Sequence, residues 1–226
     1  MKTVHKPDEF VRLYYFTSLE FGISNVQKQR IKISRLLELN DPFEFRNVIS
    51  PSTSSRFPGE FECWLTGQND SKGIICFSKK CSSPLMWGHY ADKSKGMVLA
   101  FDVLKDDLFD VKYHSDLLRT PSLPIEPDFA CDLVASKAKA WCYEKECRVF
   151  ISLITAQAEM QAGTGKLLFF EKFSNSMALK EILIGPDCSA DRATVNTLKR
   201  YAGLLIPIFS TKRASNKFEI KKSEKL

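Results

Sequence analysis

The chain has little histidine, no closely spaced cysteine pair and no long apolar run, and each shortage excludes something. Only His5, His89 and His114 are present, so an imidazole-rich metal centre has few ligands to draw on. The seven cysteines form an odd set without a C-x-x-C pair. Cys76/Cys81 and Cys142/Cys147 leave four residues between possible ligands, but no histidine pair accompanies them and no metal is expected. No apolar stretch approaches the roughly 18 to 20 residues needed to span a bilayer. Residues 1–10 are too polar for a secretory leader. Together these predict a cytoplasmic protein with no membrane partner and with free thiols that behave as small hydrophobes. G-x-S-x-G, G-x-x-x-x-G-K, G-x-G-x-x-G and H-E-x-x-H are all missing, which removes the usual support for serine hydrolase, P-loop and zincin chemistry.

What is there suits one full core: 226 residues, 44% of them hydrophobic and 12% aromatic. The net charge of +6 is unevenly spread. Lys212, Arg213, Lys217, Lys221, Lys222 and Lys225 face only Glu219 and Glu224 in the last stretch, which leaves the body close to neutral. The expected division is a single α+β domain over residues 1–210 and a basic C-terminal strand and tail over 211–226. The tail reads either as a solvated end or as a phosphate or RNA contact.

Strands are expected at Arg12 to Thr17, Ile31 to Ser34, Gly73 to Ser78, Met97 to Val103 and Phe109 to Tyr113, from aromatic and β-branched density. Later ones are expected at Glu146 to Ile154, Lys166 to Phe170, Lys180 to Ile184, Leu205 to Phe209 and Lys217 to Lys221. Ser18 stands where an N-cap would open a helix ending near Gln29, and Asn40 to Glu44 reads as a turn. A short helix is expected over Glu60 to Leu65, after a loop from Ser50 to Gly59. Ser83 and Pro84 are a cap and a first helical residue, with Trp87, Tyr90 and Ala91 on one face of the helix that follows. Thr120 to Pro127 reads as a loop, Phe129 to Trp141 as a helix with Phe129, Leu133, Ser136 and Ala140 along one stripe, and Ser189 to Tyr201 as another helix. Strict β-α alternation is absent, so the expected class is α+β, a split, partly antiparallel sheet with packed helices.

Three constellations carry chemistry. Met86-Trp87-Gly88-His89-Tyr90, between two apolar strands, offers flat rings for an aromatic or sugar-bearing ligand, and His89 is a general-base candidate against a plain surface role. If a strand opens near Glu144, alternation places Glu144, Glu146 and Arg148 on one face; the bland reading is an exposed ion pair at a strand start. Thr17-Ser18, at a strand end before a helix N-terminus, presents hydroxyls and free backbone N–H groups suited to a phosphate or ribose.

Leu13-Tyr14-Tyr15-Phe16-Thr17-Ser18, Asn40-Asp41-Pro42-Phe43-Glu44, the Met86 to Tyr90 block with Gly96-Met97-Val98-Leu99-Ala100-Phe101, and Trp141-Cys142-Tyr143-Glu144-Lys145-Glu146-Cys147-Arg148 resemble successive signatures of a prokaryotic domain-of-unknown-function family, the one numbered twenty-nine seventy-one. The resemblance spans residues 12 to about 186. More distantly, the order of these blocks is similar to the NAD-binding core of ADP-ribosyltransferases. That similarity implies NAD as the bound nucleotide, with Tyr15 and Thr17 at the nicotinamide ribose and Ser78, Trp87 and Tyr90 around the nicotinamide. Glu146 would be the catalytic carboxylate, with Glu144 in reserve, and Arg148 would orient it or neutralise pyrophosphate. The first strand departs from the pattern, having neither the usual histidine nor an arginine in place, since Arg12 comes early. The implied activity is transfer of ADP-ribose to a protein or nucleic-acid acceptor, or NAD hydrolysis, in a toxin or antiphage defence effector. Two other readings remain open: a nucleic-acid-binding or nucleolytic module using the tail with Trp87 and Tyr90, and a noncatalytic interaction domain in which Trp64, Trp87 and Trp141 are core.

Overall fold

The computed structural model describes residues 9–46, 48–49, 59–119, 127–161, 163–203 and 205–226. The expected loops at Ser50 to Gly59 and Thr120 to Pro127 fall mostly outside them. In chain order the elements are β1 (Phe10–Thr17), α1 (Leu19–Lys28), β2 (Arg30–Arg35), β3 (Val48–Ile49), α2 (Glu60–Ser71), β4 (Lys72–Ser78), α3 (Pro84–Tyr90), β5 (Met97–Leu104), β6 (Leu108–Asp110), β7 (Lys112–His114) and β8 (Leu118–Arg119). They continue with α4 (Pro127–Val134), β9 (Ser136–Ala138), β10 (Glu146–Ser152), β11 (Gln157–Met160), β12 (Leu167–Lys172), β13 (Met177–Ile184), α5 (Arg192–Ala202), β14 (Ile208–Arg213) and β15 (Ile220–Lys225). The class is mixed α and β with a mostly antiparallel open sheet, in which β13 and β14 pair in parallel.

The sheet runs β11-β12-β2-β4-β1-β5-β13-β14-β15, with β10 joined to β4 and β6 to β10. Strand β4 gives one edge to β10 along its length, from Glu146 opposite Ser78 to Ser152 opposite Lys72. Its other edge is divided. Strand β1 reaches it at Tyr14–Ser78, and β2 at Ser34–Ile74 and Arg35–Gly73. Between those contacts residues 75–77 have no ladder partner on that edge among the described residues, so the sheet is split there.

Strand β1 is apolar on both faces because both are covered. Leu13 and Tyr15 join the core under α1 and α5 with Val26, Leu99, Phe101 and Leu198. Tyr14 and Phe16 point the other way, towards Met86 and Trp87 of α3. Helix α1 is capped as expected: Ser18 Oγ accepts from the Phe21 N–H at 3.3 Å. Ser83 caps α3 through the Met86 N–H at 3.5 Å, with Pro84 in the first position. The chain leaves α3 through Asp92, Lys93 and Ser94, all at positive φ. A side chain at the following Gly96 would collide with the Thr17 carbonyl at 2.2 Å, so α3 and β5 are joined at a point only glycine fits.

The sequence misassigns the segment from Phe129 to Trp141. Helix α4 ends at Val134, β9 runs parallel to β7, and Lys139–Glu144 is a 3-10 turn. The Lys112 N–H donates to the Ala135 carbonyl at 2.6 Å, and the β7 ladder then takes over the backbone groups a longer helix would have used. Phe109 to Tyr113 is correspondingly two strands, broken at Val111. Strand β11, not expected from sequence, pairs with β12 across the Gly163-Thr164-Gly165 turn.

Candidate active site

A cavity of about 280 Å³ opens at the split. Tyr14, Tyr15 and Phe16 of β1, Lys32 and Ser34 of β2 and Cys76, Phe77 and Ser78 of β4 form its strand walls. Helix α3 adds Met86 and Tyr90, Glu38, Leu39 and Asn40 come from the turn after β2, and Lys137, Glu144 and Glu146 close the floor.

Those floor residues belong to a buried charge cluster. Lys137 Nζ lies 2.6 Å from Glu144 Oε2, 2.9 Å from Glu146 Oε2 and 3.5 Å from Glu44 Oε2. Arg148, with no exposed surface, donates from Nε to Glu146 Oε1 at 2.8 Å and from Nη1 to the Val134 carbonyl at 2.6 Å; its Nη2 bonds Glu44 Oε1. Tyr90 donates its hydroxyl to Glu144 Oε1. Three buried carboxylates thus share two buried cations.

Their ionisation separates by position. Burial pushes Glu146 up, but Arg148 and then Lys137 outweigh it and hold the carboxyl at about 2. Glu144 is raised, chiefly by burial, against the pull of Lys137 and Tyr90. Glu44 is raised for the same reason, against Arg148 and Lys137, and its Oε2 is buried with no hydrogen-bond partner among the described residues. The arrangement offers one permanently anionic carboxylate beside a second that takes and gives a proton more readily. Burial holds the Tyr14 and Tyr15 phenols at about 12, so both walls stay neutral. Burial and the Glu146 charge push the Cys76 thiol well up, which leaves it a poor nucleophile.

Local structure explains the convergence. Glu146 and Arg148 share a face of β10 by alternation. The strand opens at Glu146 and not near Glu144, so alternation does not place Glu144; it ends the 3-10 turn, and Lys145 at φ 48° swings it back over the same face. Ser78 fixes this corner by donating its hydroxyl to the Glu144 carbonyl at 2.5 Å, and Tyr113 accepts from the Glu146 N–H at 2.8 Å.

Of the residues singled out from sequence, Tyr15, Ser78, Tyr90, Glu144 and Glu146 line the cavity. Arg148 lies beneath the floor, fully buried, rather than in an exposed strand-start pair. Trp87 is wholly buried in the core, its indole donating to the Cys81 carbonyl at 2.7 Å, and does not line the cavity. Thr17 is buried on the ladder opposite Met97. His89 is exposed against Tyr90 and Tyr143. Sequence reasoning missed Glu44 and Lys137. Glu44 was visible only as the end of a turn, and Lys137 was hidden by the helical assignment. No protein-family model matches the chain, and no curated protein or solved structure matches it either.

Proposed function

We propose that this chain is a cytoplasmic enzyme with an ADP-ribosyltransferase-like core that binds NAD and transfers ADP-ribose to a macromolecule or hydrolyses NAD, in the manner of a toxin or antiphage defence effector. The observation that carries the reading is the Glu144/Glu146 pair at the floor of an aromatic cavity set in the split of the sheet. Cleaving a nicotinamide–ribose bond builds positive charge on the sugar, and a carboxylate that never protonates at working pH stabilises it. Glu146 takes that role. Glu144, raised and bonded to Tyr90, exchanges the proton of the incoming hydroxyl. A cavity of about 280 Å³ is at the small end for ligand sites, which suits one ring and its ribose and leaves the rest of a dinucleotide outside.

Incubation with NAD and chromatography of released nicotinamide tests this. Glu146→Gln is expected to abolish release and Glu144→Gln to slow it, with both proteins folded by circular dichroism. No thermal shift with NAD, together with no nicotinamide from the wild-type chain, overturns the reading.

A further inference from the structure

The last two strands carry most of the excess charge and use only part of it within the fold. In the β14–β15 hairpin Arg213 pairs with Asp187 and Lys222 with Glu181. Lys212, Lys217, Lys221 and Lys225 are exposed and form no salt bridge among the described residues. Lys212 and Lys221 stand directly opposite each other across the ladder. Like charges in that position repel, and the pair weakens the hairpin unless an anion bridges it. Lysines on an edge strand are often a guard against pairing with other sheets. That explanation fails here, because the turn beside them carries Phe218, which is 98% exposed. A guard against association does not present a bare aromatic ring.

The hairpin is also firmly rooted. The Ile220 N–H donates to the Ser82 carbonyl at 2.9 Å, and Ile220 packs with Phe16, Met86 and Trp87. Phe16 and Met86 line the cavity, so hairpin and cavity wall share one core.

We propose that the β14–β15 hairpin docks single-stranded nucleic acid, with Lys212, Lys217 and Lys221 on phosphates and Phe218 stacked on an unpaired base. An exposed ring among exposed cations is the combination that sequence-tolerant strand binding uses. A duplex hides its base faces and leaves Phe218 without a partner. The assignment is independent of NAD chemistry, since binding is read without turnover.

Fluorescence anisotropy with a labelled oligothymidylate tests it in the full chain. Binding is expected to weaken steeply with salt, and Lys212→Gln/Lys221→Gln should lower the slope of log K against log salt by about 1.4. Phe218→Ala should weaken binding roughly 5- to 150-fold, while a duplex of the same length is indifferent to it. Both variants lie on the surface, and their thermal midpoints should match or exceed that of the wild type. Four results each overturn the proposal: no oligonucleotide binding; equal loss on duplex and single strand; binding to phosphatidylserine vesicles in place of the oligonucleotide; or self-association through β15 that the Phe218 variant abolishes.

Discussion

Glu146 and Glu159 are both held at about 2 by arginine, and they sit in opposite environments. Glu146 is 4% exposed, locked between Arg148 and Lys137 beside two further carboxylates. Glu159, on the edge strand β11, is partly exposed, and the buried Arg30 grips it through two bonds at 2.5 and 2.6 Å, with Lys28 alongside at 3.3 Å and the Arg30 guanidinium 3.6 Å from the Phe170 ring centre. The same ionisation therefore has two meanings. At the partly exposed edge, water and salt reach the carboxylate and take over part of what a lost partner supplied. In the buried cluster the carboxylates depend on Arg148 and Lys137, and losing either cation leaves charge without a partner.

The sharpest way to break that contrast is Arg148→Met. It strands Glu44 and Glu146 without their guanidinium, and removing one partner of a buried pair costs about 3–5 kcal/mol. Urea unfolding should show a loss of that size with an unchanged slope. A loss comparable to a surface variant would mean that the cluster is wet. Lys137→Met comes next, at about 3 kcal/mol near neutral pH, because Lys137 borders the cavity and Arg148 remains. Its penalty should shrink as the pH falls and the stranded carboxylates protonate, a recovery visible in thermal midpoints between neutral pH and pH 4.

Three of the five charged groups in this cluster were legible in the sequence. The alternation Glu144-x-Glu146-x-Arg148 put an acid pair and a guanidinium together, although Glu144 arrives through the left-handed Lys145 and not through strand period. The β1, β4 and β5 strands and the Ser18 and Ser83 caps were legible because they are local patterns: apolar runs buried on both faces, and a hydroxyl before a helix. Lys137 was not. Its strand exists through parallel pairing with β7, more than 20 residues earlier, and within its own window the apolar spacing from Phe129 to Ala140 fits a helix equally well. Glu44 was hidden for a related reason. The Asp41 side chain shapes the turn by accepting from the Phe43 N–H at 2.9 Å, but only the fold places the next carboxylate against Arg148.

A subtler test separates members of the buried set by sign. Glu146, depressed below its unfolded value near 4.3, contributes stability that is present above that pH and lost as the pH falls towards about 2. Glu44 and Glu144, raised by burial, do the reverse: their contribution is complete in acid and is lost as the pH rises through their elevated values. Glu144→Gln removes one such loss. Its thermal midpoint should match the wild type near pH 4 and exceed it towards pH 8, whereas Glu146→Gln should be the less stable protein at neutral pH. Parallel curves for wild type and Glu144→Gln would mean that Glu144 titrates as if solvated.

The smallest effect belongs to Glu159→Gln, and it sharpens the comparison by what does not move. The substitution removes the charge opposite Lys28 and the buried Arg30, but the glutamine carbonyl can still accept from the guanidinium, water reaches the partly exposed position 159, and Arg30 keeps its place over Phe170. The thermal midpoint at neutral pH should therefore stay close to that of the wild type. Whatever difference appears at low ionic strength should vanish in 1 M salt, where screening acts over about 3 Å. Arg148→Met, measured in the same two buffers, should keep its full deficit, because salt does not enter a site with no exposed surface. A salt-insensitive loss at Glu159 would place that pair in the same class as the buried cluster and erase the distinction between them.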